Sequence, residues 1–413
     1  MLTGLADLQV AFVVGVGGAG LVLLVAPGRL ARVGASVLGA FVRWWTLAVG
    51  AAAVYGAVVA YDLAFGLYSC ARAAGASDAL AFLASGRAFL SGGDPFQVAN
   101  CGSTVAIPYG LATVVVNALG SLGGLAGIAV VWGAVTVLVL PLTWWVAGPA
   151  GRGAALAVAT SLLYLPLAVV QIDGASNMLV PLAVLATLAL AARGGPIAGA
   201  VGGVLATGRF PSLFPSVGAT GRFSRPFVSG AVAVAAFALV TGGTYLAYGR
   251  GFFDLVFAGE VGRRSFSLNF WGPLLAQGWL PAGLAIPALQ AAAIVIVVGL
   301  VWWRASTAVG AAAITLVAIA LATQYLSFNI LAWLLPAALV PGRPRAWLWA
   351  IGVAGTAAYY VGYLYGVVGL GVLWPYDLLD VLVSVLLAGL LYDLVRWDRS
   401  AGRAPATGAP TTS

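Results

Sequence analysis

Long apolar segments follow one another along almost the whole chain, and they constrain its fold more than any other feature. About thirteen of them are long enough to cross a hydrocarbon core of about 30 Å as helices. They lie near residues 9–27, 46–64, 105–121, 124–147, 153–170, 177–193, 195–209, 227–248, 282–302, 306–323, 327–341, 347–367 and 378–395. Lipid offers no partner to a free backbone N–H or C=O group, so helices are the expected crossing structure. The sequence therefore predicts an all-α, polytopic transmembrane bundle.

Charged residues are scarce, and their distribution indicates topology. Only 7% of the 413 residues are charged and 62% are hydrophobic, whereas soluble domains carry about 25% charged residues. All nineteen basic residues are arginines, and a positive-inside bias explains the net charge of +8 without any binding of nucleic acid. The clusters then predicted to be cytoplasmic are Arg29 to Arg43, Arg209 to Arg225, Arg304, Arg343 with Arg345, and Arg396 to Arg403.

This topology predicts one transmembrane domain over residues 1–399, with an extracytoplasmic first loop over residues 65–104. Residues 400–413 are small, Pro-rich and without apolar periodicity, which predicts a disordered cytoplasmic tail. Both cysteines, Cys70 and Cys101, fall in the first loop. An oxidising exterior favours a disulfide between them, and two buried free thiols are the alternative.

The middle of the first loop reads SDALAFLASGRAFLSGGDPF from Ser77 to Phe96 and predicts a helix along the membrane surface. Ser77 can cap this helix, whose leucines recur at three- and seven-residue intervals at Leu80, Leu83 and Leu90. The GGDP sequence ends the helix, because a pre-proline aspartate after two glycines cannot continue it. Asp78 is thereby predicted at the head of a surface helix.

The pattern of this loop resembles the first loop of GT-C class glycosyltransferases, most closely the polyprenol-phosphate-mannose-dependent mannosyltransferases. The matching positions are Asp78, Phe82, Leu90 and the Gly92 to Phe96 sequence. Weaker similarities occur at Pro108-Tyr109, Gln171 with Asn177, Gly208-Arg209-Phe210-Pro211 and Gln324-Tyr325. This chain departs from the family in having arginine at 209, where lysine is frequent, and glutamine at 324, where histidine is frequent.

The resemblance implies transfer of a sugar, mannose in the most similar proteins, from a polyprenyl (dolichyl) phosphate donor to a lipid, glycan or protein acceptor. The active site would face the extracytoplasmic side of the cell membrane. Asp78 is implied as the catalytic base by its position, and a carboxylate must serve because the chain has no histidine. Asp94, Arg209, Gln324 and Tyr325 are implied as substrate-binding residues.

A second set of candidates lies in the loop FDLVFAGEVGRRSFSLNFWG. Arg263 and Arg264 can bind a phosphate bidentately, and Glu260 and Asn269 are further substrate-binding candidates in the same loop. Simpler roles remain open for several of these residues. Lipid headgroups can explain the arginine pair, the helix dipole can explain Asp78, and turn formation can explain Asp94.

Other functional classes leave different signatures. A transporter or lipid flippase predicts internal repeats and charges near the membrane midplane, and a non-catalytic scaffold needs no long polar loop. No Walker loop, HExxH motif or metal-ligand spacing occurs in the sequence. We therefore expect no metal or separate cofactor. The expected partners are membrane lipid, a polyprenyl-phosphate sugar donor and a glycan or glycolipid acceptor.

Overall fold

The computed structural model describes most of the chain between Asp78 and Gly402. The described residues are 78–107, 109–148, 151, 155, 176–191, 195–220, 226–249, 252, 274, 285–323, 328–352, 354–355 and 374–402. The predicted segments at 9–27 and 46–64, nearly all of 153–170, most of 347–367 and residues 403–413 of the predicted tail lie outside these ranges. So do the predicted site residues Cys70, Glu260, Arg263, Arg264, Asn269, Gln324 and Tyr325.

Helices dominate the described residues, which confirms the all-α prediction. The α-helices with described bounds are α1 (Asp78–Leu90), α2 (Leu111–Ser121), α3 (Gly124–Val146), α4 (Leu179–Ala191), α5 (Gly195–Ala206), α6 (Leu213–Thr220), α7 (Pro226–Tyr248), α8 (Ala285–Arg304), α9 (Ala308–Ala322) and α10 (Trp374–Ala401). Two 3-10 helices span Phe210–Ser212 and Phe328–Leu339. Residues 343–352 are also helical.

Three helices in the described ranges are long and apolar enough to cross a membrane. They are Gly124–Val146, Val228–Tyr248 and Leu378–Ala401, with mean hydropathies of 2.3, 1.7 and 2.2. The first two match the predicted segments at 124–147 and 227–248. The third extends beyond the predicted end at residue 395, so that α10 includes the first two residues of the predicted tail.

The segment predicted at 105–121 is not one long helix. Its first residues belong to a two-stranded antiparallel hairpin in which β1 (Gln97–Asn100) pairs with β2 (Ser103–Ala106). Helix α2 begins only at Leu111 and has 11 residues, which makes it roughly 16 Å long at 1.5 Å per residue. A helix of that length cannot by itself complete a crossing of about 30 Å.

A continuous hydrophobic core runs from α1 to α10. Its centre includes α9 and the 3-10 helix Phe328–Leu339, where residues 330–340 are all buried. Helices α5 and α7 approach each other closely, since a Cβ atom on Gly199 would lie 2.1 Å from the carbonyl oxygen of Ser229. Small residues at such contacts allow the van der Waals packing that holds apolar helices together.

Exposed arginines gather at one end of the bundle, where the last turns of α10 meet the starts of α9 and of the 343–352 helix. We call this region the basic end. It consists of the exposed Arg304, Arg343, Arg396 and Arg399 and the buried Asp393 and Asp398.

Both carboxylates of the basic end accept hydrogen bonds that join helices. Asp398 accepts from the backbone N–H groups of Ser306 and Thr307 at 2.6 and 2.8 Å and from the Thr307 hydroxyl at 2.7 Å. Thr307 is the N-cap of α9, so Asp398 fixes α10 to the start of that helix. Asp393 accepts from Trp347 Nε1 at 2.7 Å.

Candidate functional site

Helix α1 packs against α2 and α3 through a face of mostly small residues. The residues of this buried face are Ala79, Phe82, Ser85 and Gly86. A Cβ atom on Gly86 would lie 2.2 Å from the carbonyl oxygen of Asn117, so glycine permits this close contact. Leu80 and Leu83 are only partly buried and Leu90 is 54% exposed. The predicted leucine stripe is therefore not the face that meets the core.

The GGDPF sequence after α1 forms a turn with a buried anchor. The exposed Asp94 accepts a hydrogen bond through Oδ1 from the backbone N–H of Phe96 at 2.8 Å, which is an Asx turn. The Phe96 ring lies 5.3 Å from that of Tyr248 and 4.7 Å from that of Phe252 between centroids. These contacts agree with the turn-forming alternative for Asp94, and its substrate-binding role stays a prediction.

Cys101 is disulfide-bonded, and the sequence contains one other cysteine, Cys70. Cys101 and Gly102 make the two-residue turn between β1 and β2, with φ angles of 52° and 82°. Positive φ at both central residues is the geometry of a type I′ turn. The disulfide bond of Cys101 therefore lies at the tip of the hairpin.

A chain of contacts crosses the core from α2 to the 3-10 helix Phe328–Leu339, and we call it the aromatic layer. Every member is buried, and each one contacts the next or is its neighbour in sequence. In spatial order the members are Asn117, Trp132, Phe82, Tyr109, Arg209, Ser176, Asn177 and Trp333.

Phe82 is the centre of the first half of the aromatic layer. Its ring centroid lies 5.6 Å from that of Trp132 and 5.8 Å from that of Tyr109. Trp132 Nε1 donates a hydrogen bond to Asn117 Oδ1 at 3.0 Å. Phe82 therefore connects α1, which begins at Asp78, to the residues that precede and form α2.

Arg209 joins the two halves of the aromatic layer. Its Cζ atom lies 3.9 Å from the centroid of the Tyr109 ring, a distance typical of a cation–π interaction. Its Nη2 donates a hydrogen bond to Ser176 Oγ at 3.0 Å. The next residue, Asn177, accepts a hydrogen bond from Trp333 Nε1 at 3.2 Å. Arg209 is only 7% exposed, so these contacts form away from bulk water.

Backbone contacts place Arg209 beside Tyr109. The N–H of Gly110 donates to the carbonyl oxygen of Gly208 at 3.3 Å, and the Thr113 hydroxyl donates to the same oxygen at 3.1 Å. A Cβ atom on Gly110 would lie 1.6 Å from the carbonyl oxygen of Thr207. Glycine at position 110 is therefore required for the segment from Thr207 to Arg209 to come this close to the start of α2.

These contacts correct the predicted topology. The arginine distribution places Arg209 in the cytoplasm and the first loop outside, but segments joined by a backbone hydrogen bond cannot lie on opposite faces of a membrane. One part of that topology which the structure contradicts is the crossing at 105–121, which is a hairpin strand followed by the short α2. Arg209 lies at the same end of the bundle as the first loop, and so do Ser176 and Asn177.

Helix α6 separates the aromatic layer from the basic end. It follows Arg209 by a few residues, and Gly218 near its other end lies against Ala311, one turn inside the start of α9. Arg209 is thus a buried arginine set apart from the exposed arginines of the basic end. A positive-inside bias does not explain an arginine in that position.

Asp78 is the first residue of α1, and it precedes Phe82 by four residues. Residues four apart are neighbours on the same face of a helix, which puts position 78 on the Phe82 face, one turn from the aromatic layer. An acid at this position also stabilises the helix N-terminus by under about 1 kcal/mol. Asp94 follows the opposite end of α1, whose 13 residues span roughly 20 Å along the helix axis.

Sequence reasoning missed several members of the aromatic layer, among them Trp132 and Trp333. Tryptophans near helix ends commonly form interfacial belts in membrane proteins, and Trp145 and Trp303, at 50% and 70% exposed, have the exposure of such residues. Trp132 at 0% and Trp333 at 4% are buried instead. The available signal was Asn117 inside the apolar sequence LATVVVNALGS, since an amide within an apolar helix needs a hydrogen-bonding partner.

The aromatic layer holds a fixed guanidinium, and the helix that contributes Phe82 to it begins at Asp78. A buried positive charge stabilises an anion that develops or departs during a reaction, and a carboxylate can take a proton from a hydroxyl group. Among the described residues no group of three or more His, Cys, Asp or Glu side chains is arranged to hold a metal ion.

Neither a protein-family model, nor a curated protein, nor a solved structure matches this chain. The similarity to GT-C transferases therefore depends on motif positions alone, chiefly Asp78, Phe82, Leu90 and the Gly92 to Phe96 sequence.

Proposed function

We propose that the chain is a multi-pass membrane glycosyltransferase of the GT-C type. It transfers a sugar, mannose by the resemblance, from a polyprenyl (dolichyl) phosphate donor to a lipid, glycan or protein acceptor. The reaction takes place at the extracytoplasmic face of the cell membrane, on the side of the first loop. The lipid-linked sugar supplies the activated group, so the proposal requires no nucleotide.

The observation that supports this proposal best is the meeting of motif residues from separate segments. Phe82, Tyr109, Asn177 and Arg209 were each selected by their resemblance to family motifs, and all four are members of the aromatic layer. Chance matches to short motifs have no reason to fold into one continuous set of contacts. Their convergence favours a common site over unrelated structural roles.

The proposed reaction uses Asp78 as a general base. Asp78 takes the proton of the acceptor hydroxyl as that oxygen attacks the anomeric carbon of the donor sugar. The bond between the anomeric carbon and the phosphate oxygen breaks, and the lipid phosphate leaves with the electron pair. Positive side chains near the leaving phosphate lower the barrier by stabilising this negative charge.

Transfer of radiolabelled mannose tests the proposal directly. Membranes that contain the full chain are incubated with a radiolabelled mannosyl polyprenyl phosphate, and membranes without it serve as the control. We expect label to move from the donor into an acceptor fraction only when the chain is present. Absence of transfer from a panel of polyprenyl-phosphate sugars would contradict the proposed function.

The same preparation distinguishes a transporter or flippase. Such a protein would carry the labelled donor across sealed vesicles without making a new glycosidic bond. Label that changes sides while staying attached to the original lipid would therefore support that class and reject the transferase.

A further inference from the structure

We propose that Arg209 binds the phosphate group of the lipid-linked donor and that Tyr109 is the positioning residue for its guanidinium. The identity of the ligand as a prenyl phosphate rests on the proposed function. The arrangement of the two side chains does not depend on it.

The ring of Tyr109 fixes one face of the guanidinium. Arg209 Cζ lies 3.9 Å from the ring centroid, and both residues are 7% exposed. The ring is itself held by Phe82, which meets it edge-on with an interplanar angle of 62°. Phe82 is backed by Trp132 and fully buried, so the Tyr109 ring has little freedom to swing away.

A hydrogen bond to Ser176 fixes the rotation of the guanidinium within its plane. Ser176 is fully buried, and its hydroxyl oxygen accepts from Arg209 Nη2 at 3.0 Å. The backbone restrains the same pair, because Gly110 and Gly208, the neighbours of Tyr109 and Arg209, are joined by a hydrogen bond. The Tyr109 ring, the Ser176 hydrogen bond and the backbone hydrogen bond therefore fix the position of the guanidinium before a ligand binds.

A planar guanidinium binds a phosphate through paired N–H donors, and its affinity rises when the donors are already in place. Arg304 provides a contrast on the same chain. It is exposed, and its Cζ lies 5.8 Å from the Trp303 ring, a looser contact next to water. The tight, buried stack at Arg209 is what a preorganised anion site requires.

Binding of farnesyl phosphate, a prenyl phosphate without a sugar, tests this inference on the full purified chain in detergent. Tyr109→Phe keeps the ring and should bind as the wild type does, whereas Tyr109→Leu removes the ring and should raise the Kd about tenfold. Tyr392→Leu is the matched control, since Tyr392 is 66% exposed on α10. The wild type should bind farnesol more weakly than farnesyl phosphate. Arg209→Gln should bind the two compounds with equal affinity.

Equal affinity of Tyr109→Leu and the wild type for farnesyl phosphate would overturn the positioning role. Should Tyr109→Leu not fold, Ser176→Ala provides the second test, with an expected rise in Kd of about threefold and no rise as the contradicting result. Inorganic phosphate and phosphatidylglycerol vesicles separate the sources of the phosphate. Tighter binding of either than of farnesyl phosphate would reject a prenyl phosphate ligand.

The binding and transfer experiments fail independently. In one outcome Tyr109→Leu loses binding of farnesyl phosphate and the wild type transfers no sugar. This result would support the phosphate site and reject the transferase function. In the other outcome the wild type and Tyr109→Leu both transfer sugar, with the same donor KM. This result would support the transferase function and reject the positioning role of Tyr109. A raised donor KM, together with a fall in kcat much smaller than that of Arg209→Gln, is the split that the positioning role predicts.

Discussion

The aromatic layer and the basic end use charged side chains in opposite ways. At the basic end the arginines are exposed, with Arg343 at 77%, while the carboxylates are buried and accept hydrogen bonds that join helices. In the aromatic layer the arginine is buried, stacked on a ring and bonded to a serine. The first arrangement needs no ligand to explain it.

The difference shows which charges have a structural explanation. Asp398 accepts three hydrogen bonds at the start of α9, and exposed arginines at one end of a membrane bundle orient it. Burying a guanidinium instead costs free energy that a protein recovers only through specific contacts. Six aromatic or amide side chains in the layer build the surroundings of Arg209, which favours a functional role for that residue.

The largest expected effect comes from Arg209. Arg209→Gln should reduce sugar transfer by about a hundredfold, or about 3 kcal/mol in the barrier, because the leaving phosphate loses its positive partner. Arg209→Lys keeps the charge without the planar fork and should fall between this variant and the wild type. Initial rates at saturating donor check both. Wild-type rates in Arg209→Gln would show that the buried arginine of the aromatic layer is no more important for transfer than the exposed arginines of the basic end.

Asp398 should show the opposite pattern. Asp398→Ala leaves two backbone N–H groups without their acceptor, and we expect a loss of about 2 kcal/mol in the free energy of unfolding. Transfer per folded molecule should stay unchanged. Denaturant unfolding in detergent, with transfer measured on the same samples, gives both values. A large loss of activity at full stability would place the basic end in the catalytic machinery.

Trp132 tests whether the aromatic layer also supports the fold. Trp132→Phe keeps a ring beside Phe82 but removes the Nε1 donor to Asn117, so stability should fall by about 1 kcal/mol. The donor KM should rise only slightly, since Phe82 and Tyr109 lie between Trp132 and Arg209 in the layer. Leu138→Ala on the exposed side of α3 is the control, because Leu138 is 51% exposed. Equal loss in both variants would argue against a special role for the indole.

Arg343 should give the smallest effect. Its Nε lies 4.0 Å from Asp393 Oδ2, and its side chain is 77% exposed, so solvent screens the pair. Arg343→Gln should change the free energy of unfolding by less than about 0.5 kcal/mol and leave transfer unaffected. A reporter fused after Ser413 would show whether the variant alters orientation. A change of orientation by this one substitution would make Arg343 a dominant topology signal.

Parts of the fold could be predicted because the signals are local. The apolar runs of α3 and α7 are long and uninterrupted, and the GGDP sequence marks the end of α1. The hairpin was missed because its pairing joins Val98 to Val105 across a turn, although Gly102 at the second turn position is a typical type I′ signal. The predicted topology counted that strand as part of a crossing, and it placed Arg209 opposite the first loop.

The candidate site could be predicted only where a motif marked a residue. Phe82, Tyr109, Asn177 and Arg209 were found through the resemblance. Trp333 was not, because its hydrogen bond to Asn177 joins residues 156 positions apart and no local pattern encodes such a pair. The buried face of α1 was also missed, since small residues that allow close packing carry little hydrophobic signal.

We propose that sugar transfer takes place at the start of α1, beside the aromatic layer, with Asp78 as the base. The most direct test is the initial rate of mannose transfer by Asp78→Asn, corrected for the amount of folded protein. Asparagine keeps the shape of the side chain but cannot accept the proton, so the rate should fall by about a hundredfold or more while the protein folds normally. A folded Asp78→Asn protein that transfers sugar at nearly the wild-type rate would contradict the claim.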